Sequence, residues 1–475
     1  MSLLNKSPIW LGLFGLYFAV QAALRILFGD RLNIDEAEAF LWAQGWSWGY
    51  GPQPPLYIWL QRLVFLLTGP SVAGLAILKA LTLWATFALS FALMRRWVPP
   101  TRIWMAGLAT LMLFWLPELV WESQRIRTHN VTVTIAALAF FWALLRLRER
   151  PSLGNYAALG LIAGLGLLTK WSFAPLLLAG FGSLLLSAGG RRLLHDRKAL
   201  LWLVLPLAIC LPTFSWIARH AAVALASADK LDFEGGQGPL VSAGLFLSST
   251  ATSVLTFLAL PMLVLGAFAL STLHKPTRHD AGESGPLRRT ELGVVLGIVG
   301  LTLMLILAGG LLSGATELRL RWLLPILVIL VPMAALWVLD RLGRRRRIGL
   351  VAATLCLPVL LCVAMGVMLK TDPPFKSLDL DGLQEALAAE NLTGTVLAKE
   401  IIAGNMALRF PELTWHDPAT QLVRPCPEGP FWLLGLAEDP AVMAYLEFCQ
   451  RRPSPMDAIA LPHDHAITLY QALPH

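Results

Sequence analysis

The amino-acid sequence predicts an all-α, polytopic membrane protein with about 11 transmembrane helices, followed by a small α/β domain. Hydrophobic residues make up 56% of the 475 residues and charged residues only 14%, whereas soluble domains carry about 25% charged residues. Apolar stretches recur along the chain as far as residue 369, and most approach the ~20 residues that a helix needs to cross a bilayer. This combination excludes a soluble multidomain protein, a disordered chain and a fibrous repeat.

The predicted spans follow one another with short charged or Pro/Gly-rich breaks between them. We expect them near residues 8–29, 71–94, 103–117, 130–147, 154–170, 173–189, 199–217, 241–272, 291–313, 321–340 and 349–369. The apolar segment 55–68 is too short to span, so we expect it to re-enter the membrane or to lie at its surface.

Basic residues occupy every second loop, and this alternation predicts the orientation. These loops and Lys6 hold 20 of the 38 lysines and arginines. The alternate loops carry acidic residues instead: Asp35, Glu36, Glu38, Glu118, Glu122, Asp229, Asp232, Glu234 and Glu317. Because basic loops favour the cytoplasmic side, the N-terminus is predicted inside and the last domain outside. The net charge of +8 then meets anionic membrane lipids, and nucleic acid is not expected as a partner.

A change in composition near residue 370 divides the chain into two predicted domains. Residues 1–369 form a transmembrane domain with outer loops 30–70 and 118–130, and residues 370–475 form an outer α/β domain. In the outer domain we expect helices near 377–390, 401–409 and 439–451, and strands near Thr395–Ala398, Phe431–Leu436 and Ala466–Tyr470. Cys426 and Cys449 also lie there, and their spacing leaves open whether they form a disulfide.

The first outer loop begins with a pair of acidic residues. Asn33 and Glu36 have capping-box spacing, and acidic residues in a first turn are ordinary stabilising features of a helix. The same geometry would hold the carboxylate of Asp35 ionised at a fixed place beside the membrane. Carboxylates so close to a bilayer are costly and are commonly functional, so both interpretations of the pair remain open.

A turn rich in glycine, proline and aromatic residues follows. An interfacial aromatic belt accounts for most of the aromatic residues, although one or two are also suited to stacking on a sugar. Residues 49–55 (GYGPQPP) cannot form a regular helix because proline restricts both itself and the residue before it. We expect this segment to form a rigid turn that brings Gln53 and Tyr57 back toward Asp35.

Basic residues recur at the predicted outer face. The second outer loop carries Glu122, Arg125, Arg127 and His129, Lys170 lies between two short spans, and Arg319 and Arg321 open the tenth span. Interface anchoring or snorkelling explains some of these residues, but a positive-inside chain normally avoids basic residues on that side. Together they predict an outward-facing anion pocket that suits phosphate.

Several segments together resemble a known family. They are Asp35-Glu36, GYGPQPPLYIWL, ESQRIRTHN, GLGLLTKWSF and ELRLRWLLP. Over roughly residues 1–340 the chain resembles the GT-C membrane glycosyltransferases, in the branch of protein O-mannosyltransferases and of the aminoarabinose and galacturonic acid transferases that modify lipid A. The resemblance implies a GT-C-like fold in a bacterial inner membrane. It also implies transfer of a sugar from a polyprenyl-phosphate donor to a periplasmic acceptor, usually with inversion.

The resemblance also implies roles for individual residues. Asp35 corresponds to the acidic residue of the family, as acid/base or acceptor-orienting group, and Glu36 would support it. The aminoarabinose branch often has an acid–lysine pair before PPLY, where this chain has Pro52-Gln53. Binding of the donor phosphate would therefore pass to other basic residues, namely Arg125, Lys170, Arg319 and Arg321. The candidates for contact with sugar or acceptor are Gln53, Tyr57, Glu122 and His129.

Chemistry at the outer face agrees with this hypothesis and leaves some alternatives open. Nucleotide sugars are absent outside the cell, and no Walker A or GxGxxG signature is present, so a lipid-linked donor is expected. A divalent metal is possible, but no ligand spacing establishes one. The alternatives are a lipid or solute transporter, disfavoured because the charges lie at one face rather than at mid-depth, and an oligosaccharide ligase or polymerase. Lipid A, lipopolysaccharide core, another glycan and protein hydroxyls all remain possible acceptors.

Overall fold

The computed structural model describes residues 3–225, 238–270, 286–372, 374, 378–418, 426–436, 438–461 and 465–474. Five charged residues of the predicted loops lie outside these residues. They are the acidic Asp229, Asp232 and Glu234 and the basic Lys275 and Arg278. The chain forms two compact units, each built from three segments. The first comprises Met1–Val20, Lys79–Ala218 and Leu225–Val363, and the second comprises Gln21–Leu78, Arg219–Ala224 and Ala364–His475.

Helices dominate the described part of the chain. In chain order they are α1 (Ser7–Phe28), α2 (Ile34–Trp42), α3 (Leu56–Thr68), α4 (Val72–Arg95), α5 (Ile103–Leu111), α6 (Ser123–Arg125), α7 (His129–Glu149), α8 (Leu153–Leu167), α9 (Ala174–Leu186), α10 (Ala188–His195), α11 (Leu201–Arg219), α12 (Ala221–Leu225), α13 (Pro239–Leu270), α14 (Pro286–Ser313), α15 (Leu324–Leu327), α16 (Leu330–Arg341), α17 (Arg344–Thr371), α18 (Leu380–Ala389), α19 (Glu400–Arg409) and α20 (Pro440–Phe448).

The helices confirm a polytopic membrane protein with fewer full-length spans than predicted. Among the described residues, eight helices are long and apolar enough to cross a bilayer, and the number reaches ten if each of two bent helix pairs is one span. In one pair the chain turns by 77° between Pro100–Trp115 and Glu118–Arg125; we treat only the part up to Trp115 as spanning. The predicted span 154–170 is the one that falls short. It corresponds to α8, whose 15 residues rise about 22 Å, less than the ~30 Å hydrocarbon core.

Aromatic rings fill part of the core of the first unit. The ring of Phe14 on α1 lies 5.4 Å from that of Phe87 on α4, and Phe87 lies 5.0 Å from Phe114. All three side chains are buried. Tilted pairs at these distances contribute roughly 0.5–1.5 kcal/mol beyond the burial of their area, so they help to hold α1 against α4.

The second unit contains a five-stranded mixed sheet, which confirms the small α/β domain. Its strands are β1 (Thr395–Ala398), β2 (Thr414–His416), β3 (Phe431–Leu434), β4 (Arg451–Leu461) and β5 (His465–Pro474). They are ordered β2-β1-β3-β5-β4. Strand β1 pairs in parallel with β2 and β3, whereas β5 pairs antiparallel with β3 and β4.

Two of these strands, β2 and β4, were not predicted from the sequence. Strand β2 has only three residues, too few to show an alternating pattern. Strand β4 contains Pro453 and Pro455, which argue against a strand in the middle of a sheet but are tolerated at an edge. In the observed strand order β4 is an edge strand, so its prolines are compatible with pairing. The predicted helix 439–451 correspondingly ends at Phe448, before β4 begins.

A disulfide joins the two cysteines of this domain. Cys426 and Cys449 are bonded across 23 residues of sequence, which answers the question that their spacing left open. Cys449 follows the end of α20 directly, so the bond ties this helix to the segment before β3. Disulfides persist in oxidising compartments and are rare in the cytosol.

Candidate functional site

The acidic pair lies in the first turn of α2, within the second unit. The backbone N–H of Glu36 donates to the Asn33 side chain at 3.0 Å, and the N–H of Asn33 donates to Glu36 Oε2 at 3.4 Å. These reciprocal bonds form the predicted capping box. They satisfy two backbone donors that a helix start otherwise leaves without an intrahelical partner, so the start of α2 is fixed by local chemistry.

The two carboxylates of the pair have different surroundings. Glu36 is only 2% exposed, and its Oε2 accepts a hydrogen bond from Arg25 at 2.9 Å. Arg25 also donates to the backbone carbonyl of Arg31 at 2.8 Å, which fixes the guanidinium. Asp35 is partly exposed. Because Glu36 is enclosed and engaged, Asp35 is the acid of the pair that a bound molecule can reach.

Tyr57 on α3 lies in the electrostatic field of the acidic pair. Burial raises the pKa of its hydroxyl, and the negative charges of Glu36 and Asp35 raise that pKa further. The hydroxyl therefore stays protonated and able to donate. Gln53 is half-buried in the turn before α3. Among the described contacts none joins it to Asp35 or Glu36, so only Tyr57 is brought to the acids as the sequence predicted.

A group of charged residues follows the span that ends at Trp115, within the first unit. Residues Glu118–Glu122 form a π-helical turn, a rare geometry that is frequent at functional sites. Glu118 is 6% exposed, and its Oε1 lies 3.0 Å from Nε of Arg127. Glu122 is more exposed and lies 3.7 Å from Arg125 and 3.8 Å from Arg127. The second outer loop is thus bound together by its own ion pairs.

Glu118 has a perturbed proton affinity. Burial raises the pKa of its carboxyl to about 7, although the neighbouring Arg127 acts in the opposite direction. The charge of Glu122 adds to the increase, whereas Arg321 and Lys170 oppose it. These effects show that Arg321 and Lys170 act on the same carboxyl as Arg127, and a carboxyl with such a pKa changes its charge near neutral pH.

Asn130 connects the remaining basic residues. Lys170 Nζ donates a short hydrogen bond to Asn130 Oδ1, and Asn130 Nδ2 donates to the backbone carbonyl of Arg321 at 3.4 Å. We call Arg125, Arg127, Lys170 and Arg321 the basic cluster; it sets four cations against the carboxyls of Glu118 and Glu122. Its net positive charge suits an anion with several oxygens, such as a phosphate.

Two predicted site residues, Arg319 and His129, are not joined to the basic cluster by any described contact. Arg319 is 36% exposed at its side chain and lies 3.6 Å from the carboxylate of Glu317. No described contact connects it to the basic cluster. His129 is buried at the first turn of α7, where its backbone carbonyl accepts a hydrogen bond from Thr132. Among the described residues, no three His, Cys, Asp or Glu side chains come together in a way that could hold a metal ion.

Four residues that contact the candidate residues or their loops were not predicted from the sequence as site residues. They are Arg25, Lys79, Glu118 and Asn130. Lys79 is buried on α4 and donates to the backbone carbonyl of Gln124 at 3.1 Å, so it helps to hold the second outer loop in place. The sequence signal that could have indicated these four residues is a charged or amide side chain inside or next to an apolar span. Such a side chain is costly to place in a membrane and is commonly functional.

Known sugar transferases resemble this chain in sequence. Residues 52–216 match the family of dolichyl-phosphate-mannose-protein mannosyltransferases. The chain is 34% identical over 329 residues to the lipopolysaccharide core galacturonosyltransferase RgtB of Rhizobium johnstonii, covering 69% of this chain and 65% of RgtB. It is 29% identical over 409 residues to RgtA, a lipopolysaccharide core galacturonosyltransferase of the same organism, covering 84% of this chain and 79% of RgtA.

Solved structures share the fold. The chain superposes on ArnT from Cupriavidus metallidurans bound to undecaprenyl phosphate with a TM-score of 0.60 and 14% identity, over 98% of each chain. The apo form of ArnT gives a TM-score of 0.59, also at 14% identity, over 97% of this chain and 98% of ArnT. The family match, the relatives and the shared fold together support a GT-C membrane glycosyltransferase. This confirms the predicted resemblance.

The family match includes some candidate residues and omits others. Residues 52–216 contain Tyr57, the second outer loop and Lys170. They do not contain Asp35 or Arg321. The structure therefore adds to the family match Asp35 on α2 and Arg321 in the basic cluster.

Proposed function

We propose that this protein transfers a sugar from a polyprenyl-phosphate donor to an acceptor of the bacterial envelope. The observation that carries the proposal is the partly exposed Asp35, held in a capped first turn beside the fully engaged Glu36. The names of RgtA and RgtB support galacturonic acid as the sugar and the lipopolysaccharide core as the acceptor. The undecaprenyl phosphate bound to ArnT supports the lipid carrier.

In the proposed reaction an acceptor hydroxyl attacks the anomeric carbon of the donor sugar. The new glycosidic bond forms as the bond between that carbon and the phosphate oxygen breaks, with inversion, and polyprenyl phosphate leaves with the bonding electrons. Asp35 takes the proton of the hydroxyl, as general bases do in such transfers. Glu36 would act indirectly, because its contact with Arg25 holds the first turn of α2.

The basic cluster is proposed to bind the donor phosphate. Negative charge on that phosphate grows as the sugar leaves, and fixed cations stabilise such developing charge. Arg125, Lys170 and Arg321 are the principal candidates, since Arg127 already lies 3.0 Å from Glu118. The partly exposed Arg319 would add its positive charge to the field that acts on the phosphate. For the sugar and the acceptor we retain Gln53, Tyr57, Glu122 and His129 as contacts.

We also propose an inner-membrane location with the N-terminus in the cytoplasm. The transmembrane domain would comprise residues 1–369, and residues 370–475 would form a periplasmic domain. The disulfide between Cys426 and Cys449 supports this orientation, because the periplasm is oxidising and the cytosol is not. The relatives and the GT-C fold support an enzyme over the alternative of a lipid or solute transporter.

Mass spectrometry of envelope lipids tests the proposal directly. Cells that carry the protein, cells that lack it and cells that carry the Asp35→Asn variant would be compared. We expect one additional galacturonic acid on the lipopolysaccharide core only where the active protein is present. Identical lipopolysaccharide and lipid A in all three strains would overturn the proposal, and a different added sugar would correct its donor.

A further inference from the structure

The helix that carries Asp35 is held at its start by a residue of the C-terminal domain. The backbone N–H of Leu32 donates to Asn405 Oδ1 at 2.8 Å, and Asn405 Nδ2 donates to the carbonyl of Leu32 at 3.2 Å. Asn405 is 2% exposed, and its Nδ2 also donates to the carbonyl of Ile401 at 2.8 Å. One amide thus pairs with both backbone groups of a residue three positions before Asp35.

The other end of α2 is held by the same domain. Trp42 Nε1 donates to Asp417 Oδ2 at 2.9 Å, and both side chains are buried. The Trp42 ring stacks on Tyr50 at 6.5 Å with 10° between the planes. The Tyr50 hydroxyl accepts from the N–H of Ser47 and donates to the carbonyl of Gly45, each at 2.7 Å. The contact with Asp417 therefore extends into the turn after α2.

Close packing joins α2 to α19 between these two contacts. A methyl group added at Gly404 would lie 2.7 Å from Cα of Ala37, well inside van der Waals contact. Glycine at this position lets the backbones of the two helices approach closely. Asn405 is the next residue of α19, so the close approach and the hydrogen bonds to Leu32 come from the same turn.

These contacts fix the position of α2, a helix too short to be stable in isolation. Helix α2 has nine residues, fewer than the ~12–15 at which isolated helices become even marginally stable in water. Its first turn is capped locally, but the cap fixes only the shape of the turn and not its place in the protein. Misplacing a catalytic group by about 1 Å can lower a rate about a hundredfold, so whatever places α2 controls how well Asp35 works.

We propose that Asn405 and Asp417 are positioning residues for Asp35, and that through them the C-terminal domain sets the place of the helix that carries the catalytic acid. The inference rests on the proposed role of Asp35. Neither residue touches the reacting atoms in this assignment. Asn405 places the first turn through Leu32, and Asp417 places the last turn through Trp42. Their loss would leave the donor bound but the acceptor hydroxyl poorly aligned with its base.

Steady-state kinetics of the full chain in detergent test this proposal, with undecaprenyl-phosphate-linked galacturonic acid as the donor. We expect Asn405→Ala and Asp417→Ala to lower kcat at least tenfold while KM for the donor stays within twofold. Asp417→Asn keeps an acceptor oxygen for Trp42 and should restore most of kcat. Trp42→Phe removes the same hydrogen bond from the other side, so it should match Asp417→Ala, and the double variant should lose little more.

Trp432→Phe is the matched control. It removes an indole hydrogen bond of the same kind, from Trp432 Nε1 to the carbonyl of Thr393 at 2.8 Å, within the sheet domain and with no residue of α2 as a partner. We expect its kcat within twofold of the parent protein. The proposal is overturned if folded Asn405→Ala and Asp417→Ala retain full kcat, or if the control loses as much as they do.

The design separates this inference from the proposed function. If Asp35→Asn remains active, the proposed function fails; if Asp35→Asn is inactive while both alanine variants are normal, only the positioning role fails. Should Asn405→Ala not fold, the comparison of Asp417→Ala with Asp417→Asn gives the same test, because the two differ in one acceptor for Trp42. A rise in donor KM with unchanged kcat would also contradict a positioning role for these residues.

Discussion

At the scale of single residues, Asp35 and Glu36 show how two adjacent acids acquire different tasks. Glu36 closes the capping box and pairs with the half-buried Arg25, so its charge is compensated and inaccessible. Asp35, one position earlier on the helix, points in a different direction because successive residues of a helix are rotated by about 100°. Its partial exposure leaves a carboxylate at a fixed place with access to a bound molecule.

The first prediction separates these two tasks. We expect Asp35→Asn to insert and fold normally while transfer falls by about two to four orders of magnitude, the usual contribution of a general base. Glu36→Gln should instead lower thermal stability, because it removes the charge that compensates the half-buried Arg25. In vitro turnover and thermal unfolding in detergent measure the two effects. A near-normal rate for Asp35→Asn would rule out its proposed role.

Glu118 provides a pH-dependent prediction at the same scale. Its pKa of about 7 lies above the ordinary value of 4.5, so the folded protein holds this proton more tightly than the unfolded chain. The stabilisation is therefore complete below the unfolded pKa and is lost as pH rises through about 7. We expect the Tm of the parent protein to fall relative to Glu118→Gln between about pH 5 and pH 8. Parallel Tm profiles of the two proteins would contradict this.

At the scale of elements, α2 is the most informative segment of the chain. Its start was predictable because Asn33 and Glu36 stand at capping-box spacing, and the structure confirms both hydrogen bonds. Tyr57 was predicted near Asp35 from the turn formed by residues 49–55, and its pKa shows that both acids act on it. The partners on α19 lie more than 370 residues away, and no local pattern indicates them.

The cap of α2 gives the prediction at this scale. Replacing Asn33 with alanine removes the side-chain acceptor for the N–H of Glu36, and loss of such a cap typically costs about 1 kcal/mol. We expect Asn33→Ala to lower both Tm and kcat, because the first turn that holds Asp35 frays. Asn33→Asp keeps a capping oxygen and should restore most of both. If Asn33→Ala and Asn33→Asp behave alike in a transfer assay, the cap does not matter for Asp35.

At the scale of the whole molecule, the order of elements along the chain and their grouping in space differ. The first outer loop follows α1 directly, yet its segment belongs to the same compact unit as the C-terminal sheet domain. The predicted boundary at residue 370 follows a change in composition. Composition reports which residues meet lipid and which meet water, but it contains no information on which distant segments pack together.

The orientation is tested on the whole chain. We expect alkaline phosphatase fused after the last residue to be active and a cytosolic fluorescent reporter at the same position to be dark, because the C-terminal domain is proposed to lie in the periplasm. Truncations that end in the basic loops after α4 and α7 are matched controls and should give the opposite pattern. An active fluorescent reporter on the full chain would reverse the proposed topology.

The sequence by itself determined the membrane class, the positions of most helices and the chemistry available to the site. Apolar length, charge alternation and capping motifs are properties of neighbouring residues, so they can be recognised without knowing the fold. The tertiary structure alone decided that Glu36 is engaged by Arg25, that Asn130 links Lys170 to Arg321, and that Asn405 and Asp417 hold α2. Each of these contacts joins segments that are separate in the chain and meet only when burial of apolar surface brings them together.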